Sequence, residues 1–124
     1  MLPQLTASAR VFVCTSPTDM RKSFDGLQGI VHDFLGQDPL SGHLFLFFNR
    51  RRDRAKILFW DRDGIVIWYK RLEAGTFEKL DPASGADRRS GQAGVELTAT
   101  DLALLLTGVD LATAQRRKRY ARAS

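Results

Sequence analysis

Two short apolar runs rich in aromatics, 44–48 and 57–60, flank a stretch that sets Arg50, Arg51, Arg52, Arg54 and Lys56 against a single acid, Asp53. A third such run, 65–71, follows the tetrad Asp61-Arg62-Asp63-Gly64. Runs this short, composed largely of Phe, Leu, Trp, Tyr, Ile and Val and bounded by turn formers, fit strands rather than helices. The chain is thereby constrained to consecutive hairpins with a basic turn between the first two strands. A turn between strands is solvated, so guanidinium groups gathered there are placed to meet a polyanion.

Upstream, residues 10–15 read as a first strand, stopped by Ser16-Pro17-Thr18-Asp19. Either Ser16 or Thr18 serves as N-cap of a helix in which Met20, Phe24, Leu27, Ile30 or Val31, and Phe34 or Leu35 recur at helical spacing up to Gly36. Arg21 and Lys22 lie in its first turn, where the helix dipole favours acids. Asp19 and Asp25 compensate them, or the two side chains and exposed N–H groups hold an anion together. Further strands are expected over 43–49, 55–60 and 65–71, with a short edge strand within 72–80.

The stretch 81–94 is rich in Gly, Ser, Arg and Pro and reads as a flexible linker. Thr98 to Asp101 has the spacing of a capping box and opens a short helix with Leu102, Leu105 and Leu106 on one side and Gly108 as its stop. The expected fold is α+β: a small antiparallel sheet of about four strands packed by one amphipathic helix, with a short C-terminal helix and a basic tail. The expected division is a core over 1–80, a linker over 81–94, a capped helix over 95–110 and a disordered basic tail over 111–124.

The chain has 124 residues, 44% of them hydrophobic, which fits one core. No run approaches the roughly 18 apolar residues of a membrane span, and the first residues lack a signal-peptide pattern, so a cytoplasmic location is expected. The net charge of +5 is matched by the tail alone, where Arg116, Arg117, Lys118, Arg119 and Arg122 stand without an acid. The body is neutral in sum and locally polarised. Cys14 is the single cysteine and sits in an apolar run, and His32 and His43 are too far apart for a metal pair, so no metal or cofactor is expected.

The hairpin around Asp63-Gly64 admits two registers. With a bulged turn, Trp60, Leu58 and Lys56 share a face with Val66, Trp68 and Lys70; with a tight type I′ turn, Lys56 lies opposite Arg71. Both gather Arg50, Arg51, Arg52, Arg54, Lys56, Lys70 and Arg71 into one patch at the end far from the turn. Like charges held side by side destabilise the sheet, and a polyanion relieves them. Because both sheet faces are apolar, one is expected to pack on the helix and the other to be covered by a partner, with Trp60, Trp68 and Tyr69 as contact residues.

Asp25, Asp61, Asp63 and Glu73 are the candidates for a metal-dependent nuclease, which needs converging carboxylates. Turn formation explains Asp61 and Asp63, and pairing with nearby basic residues explains Asp25 and Glu73. No phosphate loop, Cys/His pattern or nucleophile–base pairing stands out, so no catalytic residue is assigned.

The run Pro17-Thr18-Asp19-Met20-Arg21-Lys22-Ser23-Phe24-Asp25-Gly26-Leu27 is followed by Gly36-Gln37-Asp38-Pro39-Leu40-Ser41-Gly42 and Phe48-Asn49-Arg50-Arg51-Arg52-Asp53-Arg54. With Trp60-Asp61-Arg62-Asp63-Gly64 and Trp68-Tyr69-Lys70-Arg71-Leu72, it resembles the TnpB accessory family, the second open reading frame of bacterial insertion sequences of the IS-sixty-six type, over about residues 10–77. The longer RNA-guided nuclease that shares the TnpB name is a different protein, with zinc-type cysteines absent here. The resemblance implies a non-catalytic protein made beside a separate transposase and supporting transposition; it supplies no catalytic residues. After Phe77 the chain departs from the family pattern with Glu78-Lys79-Leu80-Asp81.

The expected function is a DNA-associated accessory factor. Arg50, Arg51, Arg52, Arg54, Lys56, Lys70 and Arg71 form its phosphate-binding patch, with Arg21 and Lys22 beside them and Arg116, Arg117, Lys118 and Arg119 as a tethered arm. The expected partners are DNA and the transposase of the same element. The alternative is an adaptor that docks on the transposase or self-associates through the aromatic face, and a metal-dependent nuclease is the third reading.

Overall fold

The computed structural model describes residues 9–80 and 94–108. Its elements are β1 (Val11–Cys14), α1 (Phe24–Asp33), β2 (Leu44–Phe48), β3 (Arg54–Asp61), β4 (Gly64–Arg71), β5 (Gly94–Leu97) and α2 (Ala99–Thr107). The strands make one sheet in the order β4-β3-β2-β1-β5. The α+β class is as expected, but the sheet has five strands rather than four and is mixed. β1 and β2 run parallel, whereas the other neighbours are antiparallel. The connection through α1 returns the chain to the end where β1 began, and such a crossover produces parallel neighbours.

Every residue of β2 is buried, as a central strand covered on both faces requires. One face carries Val11, Val13, Leu44, Leu46, Phe48, Ala55, Ile57, Val95 and Leu97, which pack with Phe77 and with Leu102, Leu105 and Leu106 of α2. The other carries Cys14, Phe45, Phe47 and Leu58, which pack with Leu27 and Val31 of α1 and with Leu35. The expectation of one face left open for a partner is therefore corrected: α2 and the segment around Phe77 cover it.

α1 starts at Phe24, later than the Ser16 or Thr18 caps imply, and its N-cap residue Ser23 makes no side-chain capping bond. Four hydrogen bonds claim the preceding residues first. Thr18 N–H donates to the Phe48 carbonyl at 2.8 Å, Asp19 Oδ1 accepts from Arg21 N–H at 2.9 Å, and Lys56 Nζ donates to the Met20 and Lys22 carbonyls at 2.8 Å each. Those two carbonyls are acceptors a helix would have used.

β5 falls where the sequence suggested the end of a linker and the start of a helix. Its alternation is short but regular: Val95 and Leu97 are buried, while Glu96 receives Arg10 Nε at 2.7 Å across the neighbouring strand. α2 follows with the expected cap, Thr98 Oγ1 accepting from Asp101 N–H at 3.0 Å, and ends at Gly108 with φ 100°. Residues 72–80 form no strand; Phe77 N–H instead donates to the Arg52 carbonyl at 2.7 Å. Most of the expected linker, 81–93, and the expected tail, 111–124, lie outside the described residues. Among the described residues, no helix is long and apolar enough to cross a membrane.

The β3–β4 hairpin adopts neither expected register. Asp61 pairs with Gly64, so Arg62 and Asp63 form the loop, with Arg62 at φ 55° and Asp63 N–H donating to the Asp61 carbonyl at 2.5 Å. This tighter, γ-type turn sets Lys56 opposite Tyr69, Ala55 opposite Lys70 and Arg54 opposite Arg71. Lys56 and Lys70 consequently project from opposite faces of the sheet.

Candidate nucleic-acid interface

Because β1 and β2 are parallel, the segments leaving their C-terminal ends rise side by side from one end of the sheet, which is where crevices open in sheets of this kind. The first is 15–22 and the second is the arginine loop. Between them lies an open groove of about 660 Å³ lined by Pro17, Thr18, Asp19, Met20 and Arg21 on one side and Asn49, Arg50, Arg51, Asp53 and Arg54 on the other.

Asn49 shapes the second wall. Its Oδ1 accepts from the N–H groups of Asp53 at 3.1 Å and Arg54 at 3.0 Å, and its Nδ2 donates to Asp53 Oδ1 at 2.7 Å. Its carbonyl accepts from Arg52 N–H at 3.1 Å, closing a turn with Arg52 in the left-handed region at φ 60°. An asparagine is suited to this work, since its side chain supplies both a donor and an acceptor. Sequence reasoning passed over Asn49; its place directly before the arginine run was the available signal.

Within the loop the arginines divide. Arg50 and Arg51 are exposed and form no ion pair among the described residues. Arg52 turns away from the groove: its guanidinium lies 4.5 Å from the Phe48 ring centre, and it donates to the carbonyls of Phe77 (3.2 Å from Nε) and Glu78. It fastens the 77–78 segment to the sheet. Arg54 donates from Nη1 to the Tyr69 hydroxyl at 3.2 Å, and Arg71 stands beside it across the ladder, held by Glu73 at 3.1 Å.

The remaining cations of the sequence-derived patch are not brought together. Lys56 is only 7% exposed, with its ammonium on two carbonyls and 4.7 Å from the Tyr69 ring centre. Lys70, on the α2 face, donates to the Leu106 carbonyl at 3.3 Å. Arg21 reaches the groove from its first wall, whereas Lys22 lines a separate apolar notch with Cys14, Gly26, Gly29 and Phe34. Arg116, Arg117, Lys118 and Arg119 lie outside the described residues.

The groove's two carboxylates are both occupied. Asp19 accepts from the Arg21 side chain and backbone, which hold its carboxyl down at about 2. Asp53 is lowered first by the hydrogen bond from Asn49. Neither is a free base, and among the described residues no group of three or more His, Cys, Asp or Glu could hold a metal ion. Asp61 and Asp63 sit at the hairpin tip, Asp25 in the first turn of α1, and Glu73 on Arg71. Burial raises the Cys14 thiol pKa.

The three aromatics proposed as one contact surface do not share a face. Trp68 packs on the α2 side, while Trp60 and Tyr69 project on the α1 side, where Tyr69 is exposed beside Arg54.

Comparison with known proteins places these features in a lineage. A family model described as IS66 Orf2 like protein matches residues 9–116. A Sinorhizobium fredii (strain NBRC 101917 / NGR234) protein described as uncharacterized protein y4jC is 31% identical over 108 residues, covering 87% of this chain and 86% of the relative. A second from the same strain, uncharacterized protein y4hO, is 33% identical over 110 residues, covering 89% and 88%. No solved structure matches. The chain belongs to the IS66 Orf2-like family, whose members are insertion-sequence accessory proteins associated with transposition.

Proposed function

We propose that this protein is a non-catalytic accessory factor that binds DNA phosphates in the groove between the 17–21 segment and the arginine loop, and so assists a separate transposase. The observation that carries the reading is the convergence of Arg50, Arg51 and Arg54 on one open groove whose first wall carries the Arg21–Asp19 ion pair and whose other carboxylate, Asp53, is hydrogen-bonded by Asn49. Guanidinium groups suit phosphate oxygens because their paired N–H donors match them in geometry and charge. Arg71 extends the surface along the α1 face, and the basic run 116–119 adds positive charge for the same polyanion.

Arg50, Arg51 and Arg54, which form no ion pair among the described residues, neutralise three phosphates and give a log–log salt slope of about −3 on duplex DNA, and the tail steepens it if it engages. The test is a salt-titrated binding measurement on element-end duplex, scrambled duplex and single strand, with the full chain and an Arg50→Ala/Arg51→Ala variant. The double variant should make the slope shallower by about 2 on whichever nucleic acid is bound. A flat salt response, or a variant indistinguishable from the parent, overturns the reading.

A further inference from the structure

The sheet has two edges, and they differ in kind. β5 offers four residues, whereas β4 offers eight that pair one-to-one with β3 from Gly64 to Arg71, with no proline and no bulge. Edge strands are ordinarily blunted by bulges, prolines or scattered charge, and β4 has charge only at its last two positions.

The direction of its free backbone groups follows from the ladder. Asn49 N–H donates to the Arg54 carbonyl, so Arg54, Lys56 and Leu58 bond towards β2, and Ala55, Ile57 and Phe59 bond towards β4. Their partners Lys70, Trp68 and Val66 face inwards, and Leu72 N–H donating to the Asp53 carbonyl continues the same phase. The N–H and C=O groups of Ile65, Ile67, Tyr69 and Arg71 therefore point outwards. Among the described residues none pairs with them.

We infer that β4 is a self-association edge, on which the β4 of a second copy of this chain pairs antiparallel about a two-fold axis at Ile67. The strand's own sequence selects that occupant and register. Outward residues must face outward residues, so with the axis at Ile67 each Ile65 meets Tyr69, and on the opposite face Val66 meets Trp68. At both ends Arg71 of one copy then comes opposite Asp63 of the other, an opposite-charge pair made twice. Moving the register by two residues, with the axis at Trp68, sets Asp63 against Glu73 and Arg71 against Ile65, losing both pairs. Tyr69, 47% exposed in the single chain, gains an aliphatic neighbour across the new ladder. The two sheets become one, with an arginine groove at each end.

The pairing needs no nucleic acid, so its test is separate from that of the groove. The full chain is run in sedimentation equilibrium and light scattering from low to high micromolar concentration, freed of DNA. A dimer is expected. Asp63→Arg and Arg71→Asp should each weaken it about tenfold or more, because a like-charge pair replaces an attractive one at both ends. The double exchange should restore it. Ile67→Pro should give a monomer, since it removes an outward N–H and leaves the β3 ladder intact.

Amide exchange of the unaltered chain provides a reading that no folding defect can confuse: Ile65, Ile67 and Tyr69 should slow as concentration rises. A chain that stays monomeric throughout, or a dimer indifferent to all of these substitutions, overturns the inference.

Discussion

A lysine ammonium inside a sheet requires acceptors, and Lys56 finds them in the Met20 and Lys22 carbonyls. It thereby pins the turn that carries Arg21 to the groove. Lys56→Met should leave both carbonyls without a donor and lower stability by about 2–3 kcal/mol in urea unfolding, with weaker DNA binding as the first wall loosens. A loss below about 0.5 kcal/mol would show that the staple is dispensable.

Asp19 sets the groove's charge balance. Its folded carboxyl pKa, about 2, lies below the unfolded value near 3.9, so its contribution to stability is fully present above about pH 4 and is lost as pH falls through about 2. Asp19→Asn should flatten melting-temperature change across that window. It should also release Arg21 and steepen the salt slope of DNA binding by about 0.9.

Sequence alone could place Arg50 and Arg51 on a solvated loop, because that depended only on their lying between strands. It could not show that Arg52 and Lys56 turn inwards, since side-chain direction followed from a left-handed residue and a register that spacing left open.

At the scale of elements, local chemistry succeeded where the signal was local. The Thr98 cap and the Gly108 stop of α2 were legible because a side-chain acceptor and a left-handed glycine act within one helical turn. Thr98→Ala should destabilise the protein by about 1 kcal/mol, measured by thermal or urea unfolding, and expose the α2 face of the sheet to a hydrophobic dye. The start of α1 was misread because its capping signals were overridden by bonds to Phe48 and Lys56, residues distant in sequence. β5 was hidden for a related reason: a four-residue strand carries little pattern, and its pairing with β1 is supplied by the fold.

Across the whole molecule, the sheet separates two clusters that share its strands but few side chains. Leu27 anchors the α1 side and Leu105 the α2 side, and neither is exposed to solvent. Leu27→Ala and Leu105→Ala should each lower stability by about 2–5 kcal/mol. Combined, they should add to within about 0.5 kcal/mol in a single unfolding transition, because the sites are remote yet belong to one cooperative unit. Two resolved transitions in calorimetry would show instead that the faces fold independently. This two-sided plan was not readable beforehand, because the apolar runs 44–48 and 57–60 state only that both faces are buried, not what buries them.

The pairing of β1 with β5 joins the earliest described strand to the latest. During synthesis on the ribosome, Val11, Val13 and Leu46 must therefore wait for residues 94–108 to emerge before their face is shielded. Until then the nascent chain presents an oily surface to whatever it meets.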